Sequence, residues 1–81
     1  MTAQIEPGLW VRWLATDNPD APLAQWRLLT SVEEVGWPRW MVQLTFADGF
    51  QAPSHRDNLT LVDGHGHRLW ETATEKPAEV A

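Results

Sequence analysis

The sequence WMVQLTFADGF, at residues 40–50, decides the fold. Every second residue of its first seven is large and apolar, and a period of two is typical of a half-buried β-strand. Asp48 and Gly49 follow at once, and Asp-Gly between two apolar strands is the strongest short signal for a hairpin with a type I′ turn. We therefore predict a third strand at residues 40–46, a tight turn and a short fourth strand at residues 50–52.

The same period of two precedes this hairpin. Residues 9–13 alternate as a first strand. Residues 25–35 alternate as a second strand that Leu29 interrupts, which predicts a bend. Between these two strands, residues 15–22 contain two prolines and three Asp or Asn residues, a composition typical of a loop.

Shorter elements follow the hairpin. Residues 54–58 are typical of a single helical turn, and residues 59–62 of a last short strand. A turn rich in glycine and histidine comes next. After it, residues 68–71 either add an edge strand or place Trp70 over one end of the body.

Together these elements predict an all-β fold. A flat sheet of five short strands could not cover its own apolar face, whereas a sheet that curls into a small barrel buries that face and removes most edges. We expect a five-stranded small barrel with a one-turn 3-10 helix before the last strand. The domain spans residues 8–71, after a leader at residues 1–7 and before a mobile, polar and acidic tail at residues 72–81.

Composition excludes several classes of protein. The chain has 81 residues, which is the size of one small domain, and no cysteine, which rules out disulfide scaffolds, cysteine-ligated zinc and thiol catalysis. A net charge of −5 repels phosphate backbones, so nucleic acid is not an expected partner. No apolar run is long enough for a membrane span, and residues 1–7 lack the pattern of a signal peptide. We expect a soluble cytoplasmic protein with no membrane partner.

The chain resembles the SH3-like small-barrel superfamily, which includes Tudor, chromo-like and KOW modules. The resemblance covers about two-thirds of the chain and implies the barrel fold; its motifs are apolar alternation and turn chemistry. The matching segments are Gly8-Leu9-Trp10-Val11-Arg12, Trp40-Met41-Val42-Gln43-Leu44, Asp48-Gly49 and Leu59-Thr60-Leu61-Val62.

One group with this barrel, the plasmid-borne type II dihydrofolate reductases, works as homotetramers around a central pore. Their opening Gly-x-x-Val-Arg is similar to residues 8–12, and their later strands align without gaps with residues 40–62. Their pore is lined by Val-Gln-Ile-Tyr, whereas Gln51 is offset by one residue and this chain contains no tyrosine. An offset of one turns a strand side chain to the other face. The resemblance implies the fold and oligomerisation, without the activity.

Tryptophan is the most distinctive feature of the composition. Six tryptophans and two phenylalanines exceed what so small a barrel buries easily. Alternation predicts that some of these rings point inward: Trp13, Trp26, Trp40 and Phe46. The others are then at least partly exposed: Trp10, Trp37, Trp70 and Phe50.

The exposed rings predict an interaction surface. Exposed aromatic patches often mark binding sites, and ligands of SH3-like barrels contact the rim formed by the first long loop and the third and fourth strands. The residues that we expect to bind a partner there are Trp10, Trp37, Arg39, Trp40 and Phe50. Such a site could stack on a proline-rich peptide or surround a cationic ammonium group. The alternative is that these rings pack under the tail or in a subunit interface.

Other polar clusters indicate no chemistry. Asp63, His65 and His67 have ligand types that zinc accepts, but two glycines make this turn flexible, which favours a solvated loop. Glu33 and Glu34 are adjacent and point to opposite faces of a strand. Ser54, His55 and Asp57 are neighbours on one turn, with nothing to orient them as a triad. We predict no catalytic residue, no metal site and no cofactor.

Three functions therefore remain open. The first is a non-catalytic module that binds a protein or peptide segment, or its own copies, through the tryptophan-rich rim. The second is a homo-oligomeric small-ligand binder or enzyme with a shared central site. The third is a single-stranded nucleic-acid binder, for which Trp10 beside Arg12 and Arg39 beside Trp40 have the right chemistry.

Overall fold

The computed structural model of the chain describes residues 4–79 and shows an all-β fold. The described residues form five antiparallel strands in one sheet, with the order β4-β3-β2-β1-β5. The strands are β1 (Trp10–Trp13), β2 (Arg27–Glu34), β3 (Met41–Phe46), β4 (Gln51–His55) and β5 (Trp70–Ala73). Two 3-10 turns are present, Pro22–Ala24 within the first long loop and Arg56–Leu59 between the last two strands. The predicted five-stranded all-β fold, with a one-turn 3-10 helix before its last strand, is confirmed.

The β3–β4 hairpin is the predicted one, but its turn is of a different type. Gly49 has a φ of +88°, whereas Asp48 does not have the positive φ that a type I′ turn requires. The N–H of Gly49 donates to the carbonyl of Phe46 at 3.0 Å, and the N–H of Phe46 donates to the carbonyl of Phe50 at 2.9 Å. The connection is therefore a three-residue loop that ends in a left-handed glycine.

The second strand contains the predicted bend, and the bend explains which rings point inward. The pairing of β2 with β3 shifts register between Leu29 and Ser31. Leu29 is fully buried. Before the shift, the residues that share a face with Leu29 therefore point into the core, and their neighbours point outward. Trp26, which we predicted to point inward, therefore lies on the outer face. Val32, beyond the shift, packs against the core.

The fifth strand lies further along the chain than predicted. Residues 59–62 contribute only isolated bridges, Gln4 with Thr60 and Val62 with Arg68. The second strand that pairs with β1, besides β2, is Trp70–Ala73, which overlaps the possible edge strand at residues 68–71. The prediction that Trp70 is partly exposed is wrong, because this strand places its side chain in the core. The strand extends two residues into the predicted tail, and residues 74–79 follow it outside any helix or strand. Residues 80 and 81 of that tail lie outside the described residues.

The core packs against one face of the sheet. One cluster contains the buried apolar side chains: Ile5, Val11, Leu29, Val42, Leu44, Phe46 and Trp70. Ile5 belongs to the predicted leader, and its N–H donates to the carbonyl of Leu59 at 2.6 Å, so part of the leader closes the core; residues 1–3 lie outside the described residues. Within residues 4–79, no helix is long and apolar enough to cross a membrane.

Candidate functional site

Two exposed indoles lie in the turn at residues 35–40, which joins β2 to β3. The side chain of Trp37 is 80% exposed and that of Trp40 is 51% exposed, and Arg39 between them is also exposed. The prediction that Trp40 points inward is wrong, because the strand begins one residue later, at Met41, and Trp40 belongs to the turn. Trp37, which precedes a cis peptide bond to Pro38, is exposed as predicted. The turn therefore presents two indoles and one guanidinium to solvent.

Contacts with the end of β4 hold Trp40 in place. Its ring stacks on His55, with ring centroids 5.1 Å apart and planes within 14°. The carbonyl of Trp40 accepts from the N–H of Arg56 at 2.7 Å. The Nδ1 of His55 in turn accepts from the N–H of Asp57 at 3.1 Å and caps the following 3-10 turn. One face of the Trp40 ring is thus covered by an ordered neighbour.

An apolar groove lies between the first long loop and β4. A depression of about 340 Å³ between this loop and the start of β4 is lined by Phe50 and Ala52 on the sheet side. A second, of about 280 Å³, is lined by Pro53 and His55, among others. Both depressions share Trp13 and Leu23. The two depressions adjoin at these side chains, and we refer to them together as the groove. His55, which lines the second depression, stacks on Trp40, whereas Trp37 and Trp40 line neither depression.

Hydrogen bonds fix the loop that forms one wall of the groove. The indole N–H of Trp13 donates to the carbonyl of Ala15 at 3.1 Å, and the amide of Gln25 donates to the carbonyl of Pro19 at 2.8 Å. The loop also carries two exposed carboxylates, Asp17 and Asp20. Within residues 4–79 neither of them pairs with a basic side chain. Hydrogen bonds therefore hold the loop wall of the groove, while Asp17 lines a different depression, beside Arg12.

Phe50 forms the end of the groove distant from Trp40. Its ring lies 5.8 Å from that of Phe46 and beneath the guanidinium of Arg27, whose Cζ is 4.2 Å from the ring centroid. Arg27 also forms an ion pair with Asp48 in the hairpin turn. Because β3 and β4 are antiparallel, Phe50 and Trp40 lie at opposite ends of the pair, separated by roughly 15–20 Å.

Trp10 does not belong to this groove. It alternates with the buried Val11 on β1 and pairs with Leu28 on β2 and Ala73 on β5, on the outer face of the sheet. The five predicted binding residues are thus divided among three places. Trp37, Arg39 and Trp40 share one turn, Phe50 lies at the far end of the groove, and Trp10 lies on another face.

The sequence did not point to several residues that line the groove: Trp13, Leu23, Pro53 and His55. The resemblance to SH3-like barrels indicated the region, the first long loop with the third and fourth strands. It did not indicate the residues, because which side chains a loop covers depends on tertiary packing. Pro53 was a usable signal: it lies in the middle of β4, at the edge of the sheet, and proline within a sheet is confined to edge strands and bulges.

The Asp63–His67 turn is organised by one carboxylate. Oδ1 of Asp63 accepts from the N–H of His67 at 2.9 Å and from that of His65 at 2.8 Å. These two backbone donors, His67 first, hold the pKa of Asp63 below its ordinary value of 3.8, because they stabilise the charged form. Its Oδ2 lies 3.3 Å from Nδ1 of His67. The carboxylate thus acts as an acceptor within a turn.

Comparison of the chain with protein-family models, with curated proteins and with solved structures finds no match.

Proposed function

We propose that this chain is a non-catalytic binding module that recognises an extended peptide segment of another protein. The observation that carries the proposal is the pair of exposed indoles, Trp37 and Trp40, of which Trp40 stacks on His55, a residue that lines the groove. Leaving a large apolar side chain in water forgoes roughly 1.5–3 kcal/mol relative to its burial. A ligand that covers both rings recovers part of this free energy.

The chemistry of the groove favours a proline-containing ligand with a basic residue. Proline presents a flat apolar ring to an indole, and proline-rich segments are already extended, so they lose little conformational entropy on binding. The loop that forms one wall of the groove carries the exposed Asp17 and Asp20 outside the groove itself, and the net charge of −5 attracts basic peptides. We therefore expect binding to weaken as the salt concentration rises.

A peptide library displayed on phage, selected against the whole chain, provides the ligand for the test. Selected peptides should contain proline and arginine or lysine, and NMR should place them on the Trp37 and Trp40 indole resonances. Trp40→Ala should weaken binding at least about tenfold, as for a central aromatic contact. Trp10→Ala is the matched control, because this indole lies on the other face, and it should change the Kd by less than about twofold.

Either of two results would show that the groove is not the peptide-binding site. One is selected peptides that shift only the resonances of Trp10 and Trp26. The other is a Trp40→Ala variant that is folded, by its thermal unfolding curve, and binds as tightly as the wild type.

Two further measurements test the other two functions. A shared central site requires an oligomer, so a monomer in light scattering would exclude it. A single-stranded nucleic-acid binder would use Arg39 with the two indoles, and its affinity would fall in Arg39→Gln. The strand order and the 3-10 turn before β5 support our further proposal that the chain is a member of the SH3-like superfamily. The cytoplasmic location stays a prediction from the sequence.

A further inference from the structure

The outer face of the sheet carries a second cluster, remote from the groove. Arg12 on β1 lies opposite Glu71 on β5. The guanidinium donates to one carboxylate oxygen of Glu71 from Nε at 3.0 Å and from Nη2 at 2.7 Å. It also lies over the ring of Trp26, with its Cζ 5.0 Å from the ring centroid. Arg12 is thus held by a strand neighbour and by an aromatic platform, and its Nη1 is left to bind another group.

Glu79 occupies this remaining donor. Its Oε2 accepts from Nη1 of Arg12 at 3.2 Å and from the indole Nε1 of Trp26 at 3.0 Å. One charged and one neutral donor, both positioned by the sheet, therefore converge on a single oxygen. Two donors that the fold already holds in place bind a carboxylate more tightly than a single mobile arginine does. The reason is that little further side-chain entropy is lost when the carboxylate binds.

The resident contact is one that a ligand can replace. The side chain of Glu79 is 66% exposed, and exposed ion pairs contribute little net free energy. The short segment that follows β5 nevertheless holds Glu79 near Arg12 at an effective concentration in the range of ~1 mM. A free carboxylate cannot compete with this, so a displacing ligand must make additional contacts.

Trp10 offers such a contact. It lies two residues before Arg12 on the same face of β1, opposite Leu28. Residues two apart on a strand are separated by ~7 Å, which is also the repeat of an extended peptide. Arg12 also borders a depression of about 490 Å³ between β1 and the long loop, whose lining includes Asp17, and 30% of the Arg12 side chain is exposed.

We propose that Arg12 and Trp26 form a glutamate-recognition site for an extended acidic segment of another protein. An apolar residue two positions from that glutamate packs on Trp10. Glu79 of this chain occupies the same two donors and therefore competes with the partner's glutamate. The site does not rest on the function proposed for the groove. Because the net charge of −5 repels an acidic segment at long range, recognition depends on these short-range contacts.

The test uses a synthetic peptide, acetyl-Ala-Leu-Ala-Glu-Ala-Leu-Ala-amide, which carries leucine two positions from the glutamate on both sides. NMR follows the indole Nε1–H resonance of Trp26 in the full-length chain. In Glu79→Gln the resident carboxylate is removed, so the probe should bind about fivefold more tightly than it binds the wild type. Glu75→Gln makes the same change of charge in the same segment and should leave the affinity at the wild-type value.

Three further measurements test whether the probe binds at Arg12 and Trp26. A probe with glutamine in place of glutamate should not bind. Trp26→Phe keeps an aromatic ring beneath Arg12 but removes the Nε1 donor, and in the Glu79→Gln background it should abolish most of the gain. Because this variant lacks the Trp26 indole resonance, its binding is followed on the indole Nε1–H resonance of Trp10. Trp40→Ala should not affect the probe, which separates this site from the groove.

Equal binding of the probe to the wild type and to Glu79→Gln would overturn the proposal, as would equal binding of the glutamine probe. A wild-type chain that dimerises in light scattering, with the dimer lost in Glu79→Gln, would assign the tail to a second copy and would also overturn it.

Discussion

Trp70 and Trp37 are the same residue type at opposite extremes of exposure, 1% and 80%. Trp70 packs edge-to-face on Trp13, with ring centroids 4.9 Å apart and planes at 69°. Its indole N–H donates to the carbonyl of Asn58 at 2.8 Å. Trp37 lies in a turn, and no other aromatic ring of the described residues stacks on it.

The difference shows which conditions allow an indole to be buried in the core of this small β-sheet domain. Apolar area alone does not suffice, because the N–H must find an acceptor when the ring is buried. At the 3-10 turn, the carbonyl of Asn58 supplies that acceptor for Trp70. The turn at residues 35–40 supplies no such enclosure, so its rings remain available to a ligand.

The largest expected difference between the two indoles is in what each contributes to stability. Trp70→Ala removes the largest fully buried side chain and should lower the free energy of unfolding by about 3–5 kcal/mol. For a domain of this size such a loss is a large fraction of the total. Urea unfolding followed by circular dichroism measures the change.

Trp70→Phe is the control, since it keeps an apolar ring in the core and removes the N–H that meets Asn58. It should cost less than Trp70→Ala and leave the chain folded. Equal stability of Trp70→Ala and the wild type would show that the core does not depend on this ring.

Much of the fold could be predicted because it rests on local signals. The period of two at residues 40–46 gave β3, Asp48-Gly49 gave the hairpin, and Leu29 gave the bend in β2. The turn type was missed because type I′ and the three-residue loop accept the same residues. The position of the fifth strand was missed because residues 59–62 and the segment around Trp70 have similar patterns, and only the pairing with β1 distinguishes them.

The candidate site was harder to predict, for a physical reason. Exposure of Trp37 followed from its position in a turn. The burial of Trp70, the outward position of Trp26 and the stacking of Trp40 on His55 depend on residues distant in sequence. At the register shift in β2, the residues that point inward change from one alternating set to the other. An alternation continued without a break across residues 25–35 therefore assigns the residues on one side of the shift to the wrong face.

A smaller effect concerns the stacked pair at the end of the groove. If the stacking of Trp40 on His55 contributes to the folded state, a double-mutant cycle of Trp40→Ala and His55→Ala should give a coupling free energy of about 0.5–1.5 kcal/mol. The cycle is needed because His55→Ala also removes the cap of the 3-10 turn. A coupling of zero would mean that the two rings adjoin without interaction, and the Trp40 ring would then not be preorganised for a ligand.

The smallest effect on stability should come from Trp37→Ala. With 80% of this side chain exposed, little area is withdrawn from water on folding, so the free energy of unfolding should change by no more than about 0.5 kcal/mol. The same substitution should weaken binding of the peptides selected against the groove, because a ligand covers the ring that folding leaves uncovered. A loss of stability comparable to that of Trp70→Ala would place Trp37 in the core and remove the contrast between the two indoles. A neutral effect on stability combined with weaker binding is the pattern of a side chain retained for contact with a partner, since nothing in the folded chain requires it.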